Sequence, residues 1–121
     1  MGAAATIPTP TGQAGTIYLI HLEEGLVESH GSTHYIGWTR TGRLHDRINE
    51  HAEGGQYASP LLRAATERGI RWTVVRLWHG ADRHFERKLK RRRKAKALCP
   101  VCRGEVTFES TLHGEAEVTY A

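Results

Sequence analysis

Five side chains able to do acid–base or ligand chemistry are spread along the first three quarters of the chain. Tyr18 and Tyr35 sit beside isoleucines in two β-prone runs, TIYLI and THYIGWT. Arg47 and His51 lie four apart in RLHDRINEH, a spacing that puts both on one helical face. Glu86 is the lone acid in RHFERKLKRRRKAK. Each has an ordinary explanation. Strand phenols pack with the hydroxyl toward water. Arg47 can pair with Glu50, Glu86 with Lys90, and a histidine late in a helix suits the dipole. Together, two phenols, a guanidinium, an imidazole and a carboxylate are the parts of a single-metal phosphodiester hydrolase. One carboxylate holds one hard cation, which keeps waters and borrows phosphate oxygens. A phenol, with a pKa near 10, needs positive charge beside it before it serves as a base at neutral pH.

A second cluster is CPVC, which holds both cysteines, Cys99 and Cys102. Two cysteines make no disulfide framework. Cys-x-x-Cys supplies half of a tetrahedral zinc site, and His79, His84, His113 or a second chain would have to complete it. A turn that ends the preceding helix is an equally simple reading. A thioredoxin-like redox pair is a third, although that motif opens a helix after a strand and this one follows a basic helix.

The elements that must position these groups are readable from period and punctuation. GTIYLIHL (15–22) and THYIGWT (33–39) are strands, antiparallel because their connection is too short for a crossover helix. GRLHDRINEHAEGG turns to helical spacing, with Gly54-Gly55 as its stop. Ser59 and Pro60 open a second helix that ends at Gly69. IRWTVVRLWH (70–79) is a third strand. Asp82 caps a last helix with Phe85 and Leu89 inward and the basic run outward. The order β-β-α-α-β-α is that of an α/β domain, a small three-stranded antiparallel sheet flanked by helices. The expected organisation is a flexible leader (1–14), the domain (15–98), and the CxxC segment with an acidic tail (99–121). Within that tail, EVTFES and EAEVTY add short strands or stay loose.

At 121 residues the chain holds one modest core. No apolar run approaches membrane-spanning length, and the start lacks the basic and apolar regions of a secretion signal, so a cytoplasmic protein is expected. The net charge of +4 is unevenly spread. Residues 82–96 hold nine Lys or Arg against two acids, and no Lys or Arg follows Arg103. A basic stripe suits a polyanion such as DNA, with Arg87, Lys88, Lys90 and Arg91 meeting phosphates. A solvated helix face or a localisation signal would show the same charge run. Gly37 stands bare in mid-strand beside Tyr35, where a missing Cβ lets a backbone or a phosphate come close.

TIY (16–18) followed by YIG (35–37) resembles the paired signature of the GIY-YIG nuclease family. RLHDRINEH is similar to the family's Arg-bearing helix and FERKLK to its later helix with a single metal-binding Glu, over roughly residues 15–98. Three departures are Thr16 in place of the leading glycine, an unusually long and charged connection between the two motifs, and the absence of an Asn after the glutamate helix. The resemblance implies that Tyr18 orients or deprotonates the attacking water and that Tyr35 assists. It implies that Arg47 holds the scissile phosphate, that His51 accepts or relays a proton, and that Glu86 ligates one Mg²⁺ or Mn²⁺. The expected function is a divalent-metal-dependent DNA endonuclease, with specificity low or supplied by a partner protein or a homodimer. The alternative is a non-catalytic nucleic-acid-binding protein on the same scaffold. A zinc-linked interaction module built on CPVC is a third reading.

Overall fold

The computed structural model describes residues 14–26 and 31–113, and the backbone of 119–120. The leader, and the tail beyond 113 apart from that pair, lie outside the described residues. Three antiparallel strands form the sheet: β1 (Gly15–Leu26), β2 (Ser32–Arg40) and β3 (Trp72–Ala81). A two-residue strand, β4 (Thr119–Tyr120), lies parallel to β3, so the order is β2-β1-β3-β4. Helices α1 (Leu44–Glu53), α2 (Pro60–Glu67) and α3 (Arg83–Arg92) fall in the expected places. The short α4 (Ala95–Leu98) and α5 (Phe108–Leu112) follow. EVTFES is therefore not a strand. Thr107 accepts a hydrogen bond from the Ser110 N–H at 3.1 Å, and this cap turns an alternating sequence into a helical turn.

β1 is buried on both faces, and its alternation sorts the core into two layers. Ile17 and Leu19 face α3 and α4, packing with Ile36, Val75, Leu89 and Cys99. Tyr18, Ile20 and Leu22 face α1 and α2, packing with Leu62, Ala65 and Leu77. Each fully buried aliphatic side chain stabilises the fold by about 1.5–3 kcal/mol. Because Cys99 belongs to the first layer and α5 packs on β3, residues 99–113 are part of this domain and no loose tail.

The caps fix where the helices aim. Ser59 Oγ accepts from the Leu62 N–H at 3.1 Å at the start of α2. Asp82 Oδ1 does the same for Phe85 N–H at 2.9 Å at the start of α3. α1 stops at Gly54 in the left-handed conformation (φ 70°). The strand pairing sets Tyr18 opposite Gly37, Ile20 opposite Tyr35, and His21 opposite His34. A Cβ on Gly37 would lie 2.3 Å from Cζ of Tyr18. The space beside Tyr35 is thus filled by the Tyr18 ring and is not left open for a phosphate.

Candidate functional site

An open cleft of about 630 Å³ runs along the outer strand β2, between α1 and α3. Tyr18 from β1, Tyr35 from β2, Arg47 from α1 and Glu86 from α3 all line it. The two phenol rings face the same side of the sheet with centroids 6.2 Å apart. His51 lies behind them, fully buried, with its ring 5.5 Å from that of Tyr35. Four elements distant in sequence therefore bring the five expected side chains together.

The hydrogen bonds decide what His51 does. The Ser59 backbone N–H donates to His51 Nδ1 at 3.1 Å, so that nitrogen carries no proton. Burial, with Arg47 nearby, lowers the His51 pKa to about 4, so the ring is neutral at pH 7. A neutral imidazole has one N–H, which must then sit on Nε2. Nε2 lies 2.9 Å from the Tyr18 hydroxyl oxygen and donates to it. The proton acceptor or relay expected of His51 is replaced by a donor that orients Tyr18. Burial in turn pushes the Tyr18 phenol well above its ordinary range, reinforced by Tyr35 and Glu86 and opposed by Arg47. At neutral pH the phenol is protonated until more positive charge enters the cleft.

A histidine whose folded pKa is depressed makes stability fall as pH drops. Above about 6.5 neither the folded nor the unfolded ring is charged, so it contributes no pH dependence there. Between about 6.5 and about 4 the unfolded chain takes up a proton that the folded chain refuses, and stability falls across that window. His51→Gln should therefore flatten the decline in urea-unfolding free energy between pH 7 and 5. An undiminished slope in the variant would place the titration elsewhere.

The cleft carries a different set of cations from the one sequence reading placed there. Arg40, Arg43, Arg47, Arg83 and Lys90 line it against Glu50 and Glu86. Arg83 lies over the Trp38 ring, 4.6 Å from its centroid, and Trp38 Nε1–H donates to the Ala81 carbonyl at 2.8 Å. Arg47 donates to Glu50 at 3.0 Å and to the Tyr57 carbonyl at 2.6 Å, so the guanidinium is held in place. Of the cations expected to meet phosphate, Arg47 and Lys90 line the cleft; Arg87, Lys88 and Arg91 are exposed on α3 outside it.

Glu86 is 7 % exposed, and Lys90 Nζ lies 3.2 Å from its Oε2. A nearly buried carboxylate beside two phenols offers a hard cation oxygen donors only, which suits Mg²⁺ or Mn²⁺ and no thiophilic ion. Glu50, the other carboxylate of the cleft, is engaged by Arg43 and Arg47, which leaves Glu86 as the carboxylate for a cation. A hard ion held by one carboxylate keeps most of its waters.

A second group of donors lies on the opposite face of the same strands. His21, His34, Cys99 and Cys102 each bring one ligand atom to within 4.8 Å of the others, a cluster that could hold a metal ion. The completing histidines are therefore not His79, His84 or His113. Thr16 Oγ1 lies 3.3 Å from His79 Nδ1, His84 is exposed, and His113 is 3.4 Å from Glu109. Sequence reading missed His21 and His34, although the pairing of Tyr18 with Gly37 places them opposite each other automatically. The redox reading of CPVC fares poorly. Cys99 stands at the C-terminal end of α4, whereas a redox Cys-x-x-Cys opens a helix. Burial and the Cys99 thiol push Cys102 up to about 11.

Among the described residues, no helix is long and apolar enough to cross a membrane. No family model matches the chain, and neither the curated proteins nor the solved structures contain a significant match to it.

Proposed function

We propose that the chain is a divalent-metal-dependent DNA endonuclease of the GIY-YIG type its motifs resemble, hydrolysing phosphodiester bonds with one Mg²⁺ or Mn²⁺. The supporting observation is the meeting of Tyr18, Tyr35, Arg47 and Glu86 in one cleft whose charged lining is five cations to two carboxylates. Arg40, Arg43 and Arg83 attract and seat the DNA backbone, each neutralised phosphate releasing counterions. Arg47, pre-oriented by Glu50 and the Tyr57 carbonyl, directs its remaining N–H groups at the scissile phosphate and stabilises the charge that grows on it. His51 holds the Tyr18 oxygen at 2.9 Å and stabilises its phenolate form by donation. Tyr18 first releases its phenol proton to solvent and, as phenolate, takes a proton from water. The water oxygen bonds to phosphorus while the opposite P–O bond breaks, and the leaving alkoxide is protonated from solvent. Tyr35 orders that water from the adjoining strand. Glu86 would hold the cation, which supplies Lewis-acid polarisation of the phosphate and the positive charge that draws the phenol's pKa down.

A panel of duplex, branched and single-stranded DNA, incubated with and without Mg²⁺, tests the assignment. Cleavage of at least one substrate only with the metal is expected. Binding without cleavage on every substrate would favour the non-catalytic reading, in which the Glu86–Lys90 and Arg47–Glu50 ion pairs simply brace a DNA-binding scaffold. The hard cation at Glu86 is one ion class. The His21/His34/Cys99/Cys102 cluster, with sulfur donors, suits another, Zn²⁺.

A further inference from the structure

We propose that His21, His34, Cys99 and Cys102 form a closed, architectural zinc centre that clamps the segment after α4 onto the β1–β2 hairpin. The cluster is already spaced for the ion. In a tetrahedron with Zn–N near 2.05 Å and Zn–S near 2.3 Å, ligand nitrogens stand about 3.3 Å apart and nitrogen–sulfur pairs about 3.6 Å. His21 Nδ1 is 3.1 Å from His34 Nε2. Cys99 Sγ is 3.5 Å and Cys102 Sγ 3.8 Å from His21 Nδ1, and Cys102 Sγ is 3.4 Å from His34 Nε2. Hydrogen bonds among four such atoms are poor company, since two ring nitrogens and two sulfurs share very few protons. A cation at the centre satisfies all of them.

The surroundings support coordination. Thr33 Oγ1 lies 3.1 Å from His34 Nδ1 and can accept its proton, which leaves the Nε2 lone pair for the metal. Two thiolates and two neutral imidazoles balance the charge of Zn²⁺, and this donor set prefers zinc over Mg²⁺ or Ca²⁺. Four protein ligands fill a tetrahedron and leave no position for substrate, the mark of a structural site. The centre would join β1, β2 and the turn that follows α4. Cys99 is fully buried in the core layer that also holds Leu89 of α3. The zinc would thereby anchor the far end of the helix that carries Glu86, on the sheet face away from the cleft. The proposal does not depend on nuclease activity.

Protein isolated without chelator should contain close to one zinc per chain. Co²⁺ substituted for zinc should give the intense visible bands of a tetrahedral site and a sulfur-to-cobalt charge-transfer band. Removing the metal should lower the melting temperature and open residues 99–113 to protease. The double variant His21→Ala/His34→Ala should lose tight zinc binding, and His84→Ala and His113→Ala should keep it. If the double variant fails to fold, the cobalt spectrum of the unaltered chain decides. Zinc near zero, a weak octahedral cobalt spectrum, a Cys99–Cys102 disulfide, or zinc retained by the double variant would overturn the assignment.

Discussion

Glu86→Gln should abolish Mg²⁺-dependent cleavage, a loss on the order of 10³-fold in single-turnover rate, while DNA affinity stays level or rises. The substitution keeps the side chain's shape and removes one negative charge from a cleft proposed to accept phosphate. It also frees Lys90 from its 3.2 Å ion pair, adding an available cation. Stability should barely change, because Lys90 is about half exposed and such pairs contribute at most about 1 kcal/mol. The competing explanation is that Glu86 serves only to neutralise Lys90. It predicts cleavage within tenfold of the parent protein, and that result would remove the metal-ligand role. Rates with Mg²⁺, together with dissociation constants from fluorescence anisotropy, separate the two.

Gly37→Ala should cost about 3 kcal/mol, an overpacking penalty, and lower the melting temperature by about 10 °C. The new Cβ would lie 2.3 Å from Tyr18 Cζ and 2.4 Å from its hydroxyl oxygen. Tyr18 is 1 % exposed and tied to His51, so the ring has nowhere to yield. Cleavage should fall with stability, since the displaced atom is the one assigned to the attacking water. The cause can be isolated with a double-mutant cycle. In a Tyr18→Ala background the same glycine substitution should cost little, leaving a large coupling energy. Equal costs in both backgrounds would mean that Gly37 is required for some reason other than its neighbour.

The elements that carry the cleft were legible because their signals are local. Ser59-Pro60 and Asp82 cap helices through their own hydrogen bonds, and Gly54 ends α1, so the order from β1 to α3 follows from punctuation. Arg47 and His51 were legible as one face of a helix. The direction of the His51 hydrogen bond was not, because it depends on a backbone N–H that α2 brings from Ser59. Which cations line the cleft was hidden for a different reason. α3 bears Lys or Arg all round its solvent side, so charge alone cannot say that Arg83 and Lys90 line the cleft while Arg87, Lys88 and Arg91 do not. His21 and His34 went unread because a ligand pair across two strands has no spacing in sequence until the pairing is known. EVTFES misled because alternation over a few residues is weaker than one capping threonine.

The β1–β2 hairpin positions two groups of side chains with one alignment. Tyr18 and Tyr35 emerge on one face, and the partnered His21 and His34 emerge on the other. Sliding one strand by a single residue would turn every side chain of that strand over. The same slip would part the phenols and the imidazoles together, so neither site tolerates drift that the other would permit. Length changes in the connection between Leu26 and Ser32 are thus harmless only when they leave the pairing frame intact, and the hairpin acts as a common jig for both groups of side chains.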